Sequence, residues 1–434
     1  MNIAILGFGV VGKGICKILT EKKDSKINVV KILDRKAKDK NFVKANAGLL
    51  KKISKTAPSK IFTDDIKEII KSKSIDTVVE CMGGDDIPYT FCKSALSAKK
   101  NVVTSNKKML AKYYKQLLVL AKTKKVSLLF EASVCGGIPF INTLFNMASV
   151  SNINSINGIM NGTSNYILYK MFEEDLSFEE ALKGARDLGY AEADPSDDID
   201  GIDTKNKILI SSNVAFRTVN NLKDVHAFGI RNIDIADISF CKKHNLVCKL
   251  IASATLINNK KKCILIDVFP TFLSNKDSFS SVTLNNNMAQ INSFGLGSID
   301  LVGAGAGSLP TGCAVVSDLM LLRDGKEYKV EISKNIKINN EQNICDIYFR
   351  NDASIDKEKL ITLLEKLTKK DITISNFNLM DDDIERLKLE KESNEDVAVY
   401  TTANTNTYLI FGLNTVQIEA LFKEYNKAFI AKIW

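Results

Sequence analysis

The chain opens on a short apolar strand, 2–6, which runs into Gly7-Phe8-Gly9-Val10-Val11-Gly12 and then a helical pattern carried by Ile15, Ile18 and Leu19. This order of strand, G-x-G-x-x-G and helix restricts the fold more than any other feature of the sequence. The first glycine allows a tight turn, the second lets the backbone approach a pyrophosphate, and the third lets helix and strand pack closely. The helix start adds amide donors and the positive end of the helix dipole. Phe8, Gly9, Val10 and Gly12 are therefore the expected contacts of a dinucleotide.

A second strand over 28–33 ends at Asp34, 22 residues beyond Gly12. An acid there bonds an adenosine ribose 2′-hydroxyl and disfavours a 2′-phosphate, which points to NAD. Arg35, Lys36 and Lys38 follow at once and suit a 2′-phosphate, which points to NADP. Both cofactors stay open. Residues 42–74 read as helices with a short connecting segment, and 76–80 as a buried strand that leads to Gly83 and Gly84. A helix over 88–98 and a strand over 101–104 bring the chain to Ser105-Asn106-Lys107. Strand ends of this kind form the ligand-facing edge of a parallel sheet, which makes Gly83, Ser105 and Lys107 candidates, although Lys107 alone also reads as a solvated charge. A helix over 108–125 and a strand over 127–130 complete an alternation that predicts an α/β class and a Rossmann-type doubly wound sheet.

The 434 residues leave room for two or three domains, closely joined because only six prolines and no low-complexity linker are present. Residues 1–125 hold 28 Lys and Arg against 11 Asp and Glu, a surplus that attracts an anionic cofactor. Nucleic acid is disfavoured, since the lysines are dispersed and arginine is scarce. The nine cysteines form no Cys-x-x-Cys, and His226 and His244 lie near no cysteine pair at metal spacing. That argues against zinc and for reduced thiols in a cytoplasmic protein. No apolar run is long enough to span a bilayer, and the start lacks a signal-peptide pattern.

Glu131 leaves a strand and enters the turn Gly136-Gly137-Ile138-Pro139. Exposed carbonyls with one carboxylate suit a hard cation; the plainer reading is a tight crossover into a helix over 140–149. Strand-like 153–160 meets Asn161-Gly162-Thr163-Ser164-Asn165, a carbonyl or anion cradle or else a routine cap, ahead of a helix over 166–174. From Glu192 to Asp203, six carboxylates fall within twelve residues, and Asp203 and Lys207 share a helix face. The cluster suits an amino-acid ammonium group with a lysine to move a proton. By itself it reads more readily as a solvated acidic loop capping a helix, with Asp203 and Lys207 as an ordinary surface pair. A helix over 203–216 and strands over 247–257, 262–270 and 281–303 indicate a mixed or antiparallel sheet. A glycine-rich loop, 303–312, and a helix over 314–322 follow. The tail alternates as strand 345–350, helix 357–367, strands 372–379 and 396–402, helix 415–427 and strand 428–433, a ferredoxin-like order.

The stretches 102–107 (ending Thr104-Ser105-Asn106-Lys107), 130–139, 158–168 and 189–207 together resemble homoserine dehydrogenase, in that family's order and over about residues 1–330. The tail is similar to an ACT domain. The resemblance implies NAD(P)-dependent interconversion of L-aspartate 4-semialdehyde and L-homoserine, within threonine, isoleucine and methionine biosynthesis. It implies Lys207 as the acid/base lysine, with Lys107 as its partner near the nicotinamide. Glu192 and Asp203 would bind the amino-acid head, Asp198 would orient substrate and lysines, and Gly307 would approach the cofactor. A monovalent, sodium-like cation would sit on the Glu131 side chain and the carbonyls of Val134, Gly136 and Ile138. The implied domains are 1–134 for dinucleotide binding, with 303–335 returning to it, 135–302 as an α+β catalytic and dimerisation domain, and 341–434 as the ACT-like tail. A homodimer or homotetramer is expected, with threonine as an effector, although the tail's first turn, 351–356, lacks the glycine usual in ACT domains. With no aspartate kinase domain ahead of residue 1, the expected enzyme is monofunctional.

The chemistry agrees with this picture, because aldehyde reduction needs a proton donor and neither histidine falls in a motif, which leaves lysine. A related dehydrogenase of amino-acid aldehydes or imines, and an amino-acid sensor with a vestigial cofactor domain, are the alternative readings.

Overall fold

The structure, a computed structural model, describes residues 1–22, 26–258, 262–328, 332, 335–351, 355–377, 397–402 and 407–433. The chain divides into two compact units, 1–153 with 209–222 and 289–335, and 154–208 with 223–288 and 336–434.

The first unit holds a sheet of β1 (Asn2–Leu6), β2 (Asn28–Leu33), β3 (Phe62–Thr63), β4 (Thr77–Glu80), β5 (Asn101–Thr104) and β6 (Leu128–Leu129). Its order is β3-β2-β1-β4-β5-β6 and every pairing is parallel. This is the doubly wound order, with its switch point between β1 and β4 at the carboxyl edge of the sheet. The strands read as unbroken apolar runs because a parallel sheet is covered on both faces; Ile3, Ala4, Ile5 and Leu6 are all fully buried. Helix Val10–Lys22 packs on helix Ser308–Arg323 so closely that a Cβ on Gly14 would lie 1.9 Å from the Ser308 carbonyl oxygen. The returning helix thus starts at Ser308, six residues before the expected start at 314. Pro310 did not block it, since the first turn of a helix has N–H groups without intrahelical partners and loses nothing by a proline.

The second unit contains β7 (Ile153–Ile159), β8 (His226–Ala227), β9 (Leu246–Ile257) and β10 (Cys263–Ser274). Strands β11 (Asn286–Ser293) and β12 (Gly297–Ala304), which from residue 289 belong to the first unit, are neighbours, so the stretch expected as strand over 281–303 is two strands with a turn at Gly295 and Gly297. The tail adds β13 (Ile344–Arg350), β14 (Ile374–Phe377), β15 (Ala398–Thr402), β16 (Thr407–Asn414) and β17 (Phe429–Ile433). From β7 the order runs β7-β9-β10-β17-β13-β16-β15-β14, with β8 beside β10. The tail's last strand pairs with β10 through Thr271↔Lys432 and Phe272↔Ile433, so the tail continues the central sheet. Two ion pairs reinforce that junction: the half-buried Lys432 to Asp267 at 2.6 Å, and the buried Arg350 to Asp237 at 2.7 Å.

The ferredoxin-like order is present, as β17-β13-β16-β15, but its strands differ from those expected. β16 fills the place assigned to 396–402, β15 takes the preceding place, and β14 is an additional edge strand. β16 was missed because it is a continuous apolar run, buried on both sides, with no alternation to mark it. Asp352, Ala353 and Ser354 of the tail's first turn lie outside the described residues, as do the ends of the expected strands at 378–379 and 396.

Candidate active site

In the first unit, Gly7 is in the left-handed region (φ +96), and a Cβ on Gly12 would lie 2.3 Å from the Gly7 carbonyl oxygen. Gly9 and Gly83 have nothing within 4 Å of where a Cβ would project. Close packing at the first and third glycines and open space at the second suit a pyrophosphate at the start of helix Val10–Lys22. Phe8 is buried against Phe42 and Phe62, and Val10 is exposed at the helix start. Asp34 accepts the Phe8 N–H at 3.1 Å on one carboxylate oxygen and the Lys36 N–H at 2.9 Å on the other. It therefore fixes the glycine turn to the end of β2, with Arg35 and Lys36 exposed beside it.

The carboxyl ends of β4 and β5 are tied by a buried polar cluster that the sequence reading did not single out. Glu80 is fully buried; it accepts the Met82 N–H at 2.7 Å and the Thr104 hydroxyl at 2.5 Å. Asn106 donates to the Gly84 carbonyl at 2.8 Å and caps helix Lys107–Lys124 by accepting the Met109 N–H. Burial pushes the Glu80 carboxyl up to about 7. The cluster fixes Ser105, whose N–H bonds the Glu80 carbonyl, and Lys107, the half-buried first residue of that helix. An acid inside an apolar strand gave the only sequence signal for it.

Glu131 is buried and caps helix Phe140–Val150, accepting the Ile141 N–H at 2.9 Å and the Asn142 N–H at 2.8 Å. Its own N–H donates to buried Asp318. Burial pushes the Glu131 carboxyl up to about 7 against those helix-start donors. Val134, Gly136 and Ile138 form the following turn, where Cys135 (φ 55) and Gly136 (φ 52) are both left-handed. Gly136 has no room for a Cβ, which would meet the Gly305 carbonyl oxygen at 2.3 Å. The Ile138 carbonyl accepts the Phe140 N–H at 2.8 Å. Gly307 (φ +122) caps helix Ser308–Arg323.

The second unit gathers the acidic stretch around one amide. Asn161 follows β7 and caps helix Gly162–Glu174, so that helix begins four residues before the expected 166. While its Oδ1 accepts the Ser164 N–H, its Nδ2 donates to Asp198 at 2.6 Å and to Asp203 at 3.0 Å. Lys207 pairs with Asp203 at 2.6 Å and donates to the Met160 carbonyl, also at 2.6 Å. Asp203 and Lys207 are 5% and 7% exposed, so they are not the surface pair that their spacing alone allowed. Two carboxylates, an amide and an ammonium thus converge at the end of β7, beside the positive end of a helix. Glu192 is exposed on the segment leading to this cluster, and Thr163 holds that segment by donating to the Tyr190 carbonyl at 2.8 Å.

A buried lysine paired with one carboxylate and tied through an amide to a second in one unit, with a doubly wound nucleotide fold in the other, suits a dehydrogenase of a charged small molecule. The family model described as "Homoserine dehydrogenase" matches residues 139–320, and the one described as "Homoserine dehydrogenase, NAD binding domain" matches 7–131. The chain belongs to the homoserine dehydrogenase family. The homoserine dehydrogenase of Helicobacter pylori is 35% identical over 413 residues, covering 94% of this chain and 92% of its own. The solved homoserine dehydrogenase of Thiobacillus denitrificans superposes with a TM-score of 0.78 at 25% identity, over 100% of this chain and 98% of that one. A hyperthermophilic archaeal homoserine dehydrogenase, solved in complex with NADPH, matches with a TM-score of 0.62 at 29% identity, over 76% of this chain and 99% of that one. The present homoserine dehydrogenase is an NAD(P)-dependent oxidoreductase that interconverts L-homoserine and L-aspartate 4-semialdehyde in amino-acid biosynthesis. Among the described residues, no helix is long and apolar enough to cross a membrane.

Proposed function

We propose that Asn161, Asp198, Asp203 and Lys207 form the substrate site of this homoserine dehydrogenase, with Lys207 as its acid/base. The observation that carries this reading is the buried Asp203–Lys207 pair, held from both sides by Asn161 and the Met160 carbonyl. Burying an ion pair is expensive unless its geometry is fixed and its hydrogen bonds are filled, and here that geometry presents an ammonium beside two carboxylates. In aldehyde reduction the Lys207 ammonium gives a proton to the new alkoxide, and in homoserine oxidation the neutral Lys207 amine takes the hydroxyl proton and becomes the ammonium. Asp203 and Glu192 receive the substrate ammonium group, Asp198 orients substrate and lysine through Asn161, and Lys107 assists from the end of β5. Hydride acceptance and donation are the chemistry that bound NAD(P) supplies. Phe8, Gly9, Val10, Gly12, Asp34, Arg35, Gly83, Ser105, Lys107 and Gly307 are the proposed cofactor contacts.

A sodium-like cation on Glu131 and the carbonyls of Val134, Gly136 and Ile138 fits a buried carboxylate held by backbone donors, because a neighbouring positive charge would draw its pKa back down. The proposed domains are 1–134 with 303–335, 135–302 and 341–434. A cytoplasmic homodimer or homotetramer with an ACT-like tail, and threonine as its effector, completes the reading.

The test is a spectrophotometric assay with homoserine, using NAD and NADP separately, with and without threonine. Lys207→Ala should lower turnover by roughly 10²- to 10⁴-fold with nucleotide affinity almost unchanged. Weakened nucleotide binding with turnover spared would contradict the assigned role.

A further inference from the structure

Lys249 is the fourth residue of β9 and is only 2% exposed, yet among the described residues no carboxylate pairs with it. Its ammonium is held by neutral oxygens, the Val282 carbonyl at 2.7 Å and the Asn165 side-chain oxygen at 3.2 Å. A buried charge without an ion-pair partner is costly, and burial, only partly offset by the more distant Glu173, draws this lysine down to about 8. A methionine would fill the same space at far lower cost, so the charge calls for a reason.

The reason lies in what Asn165 does next. Its Nδ2 is within hydrogen-bond distance of three successive alternate carbonyls, those of Val282 (3.2 Å), Leu284 (2.9 Å) and Asn286 (3.3 Å). These carbonyls all turn inward on one amide, and Leu284 takes a left-handed backbone (φ 54) in this segment. The same segment lies on the first turn of helix Gly162–Glu174, where a Cβ on Gly162 would meet the Asn285 carbonyl oxygen at 2.5 Å. Gly162 follows Asn161, whose amide holds Asp198 and Asp203.

We propose that Lys249 is a positioning residue for this reaction. Its buried ammonium, with Asn165, clamps the 282–286 segment onto the turn that carries Asn161, and so fixes the spacing of Asp198, Asp203 and Lys207. Lys249 does not touch substrate; it acts through Asn165 and the segment's carbonyls. The inference rests on the substrate site proposed above.

Lys249→Met removes the charge and keeps the volume. The expected result is a loss of about 10- to 100-fold in kcat/KM for homoserine, the scale of a small misplacement of reacting groups, with KM for the nucleotide changed less than about twofold. Lys249→Ala should show the same split and recover part of its homoserine turnover when ethylammonium is added, which a purely structural cavity would not show. Asn165→Asp keeps an acceptor for the ammonium but loses the donors to the three carbonyls; it should reproduce the split even if the Lys249 variants fold poorly. Unchanged homoserine kinetics in folded Lys249→Met or Asn165→Asp would overturn the clamp, as would equal loss toward homoserine and nucleotide without amine rescue. Lys207→Ala serves as the control. If it keeps wild-type turnover, the substrate-site assignment has failed; if it is inactive while the clamp variants are unaffected, only the clamp has failed.

Discussion

Replacing Glu80 by glutamine would measure what the buried end of β4 contributes and at which pH. The carboxyl is pushed from its ordinary value of 4.5 up to about 7, burial outweighing the hydrogen bonds from Thr104, Met82 and Asn106. Between those values the folded protein keeps a proton that the unfolded chain has lost. Stability from this group is therefore full below about pH 4.5 and is lost as pH rises through 7. For one carboxylate, that difference corresponds to roughly 3 kcal/mol. Glutamine preserves the acceptor for the Met82 N–H and turns its new amide toward the Thr104 hydroxyl oxygen. That oxygen already accepts the Asn106 N–H, so the Thr104 proton loses its acceptor at a cost of about 1 kcal/mol. Near pH 5 the unfolded chain has already begun to ionise at this group, which offsets that cost, so Glu80→Gln should match wild type to within about 0.5 kcal/mol there and be about 2 kcal/mol more stable near pH 8. Denaturant unfolding of both proteins at the two pH values reads this directly. A wild-type-to-variant difference that is the same at both pH values would refute the argument, because the charge of Glu80 would then not be what burial penalises.

Gly14→Ala should lower stability by about 1–3 kcal/mol and weaken nucleotide binding, since its Cβ would meet backbone at Ser308; Gly48→Ala, with nothing within 4 Å, should be tolerated in the same thermal and binding assays. Asp34→Ala should weaken NAD more than NADP by titration of each, and equal effects would remove Asp34 from the ribose site. Because Asp34 also holds the Phe8 N–H, the same variant should lose about 1.5–3 kcal/mol of folding stability, the contribution of one charge-assisted hydrogen bond.

The nucleotide half was legible because its signals are local. Apolar strands four to six residues long and three glycines at fixed spacing need no distant partner to be read, and the sheet order follows from the alternation. The pairing of Asp203 with Lys207 was also visible in their spacing, but its burial was not, since Asn161 and Met160 reach it from more than forty residues away. Glu80 and Lys249, polar residues of apolar strands, and Asn106, in the turn after β5, were illegible for the same reason: a buried polar residue is explained only by the partner that satisfies it. β16 failed differently. With Tyr408, Leu409, Ile410 and Phe411 all buried, it showed no period that separates a strand from a buried helix turn.

The packing of Gly14 against Ser308 also bears on how the protein is made. The two residues are 294 positions apart, so at translation rates of roughly 5–20 residues per second the first helix is synthesised about 15–60 s before the surface that covers it. Throughout that interval the face around Gly14 is open on the ribosome, and the glycine-turn domain cannot close as an early, independent folding unit. The last segment of its chain decides when it matures. A nascent chain halted before residue 308 should therefore engage chaperones and resist nucleotide-dependent protection from protease, and one that has released residue 335 should gain that protection in a single step.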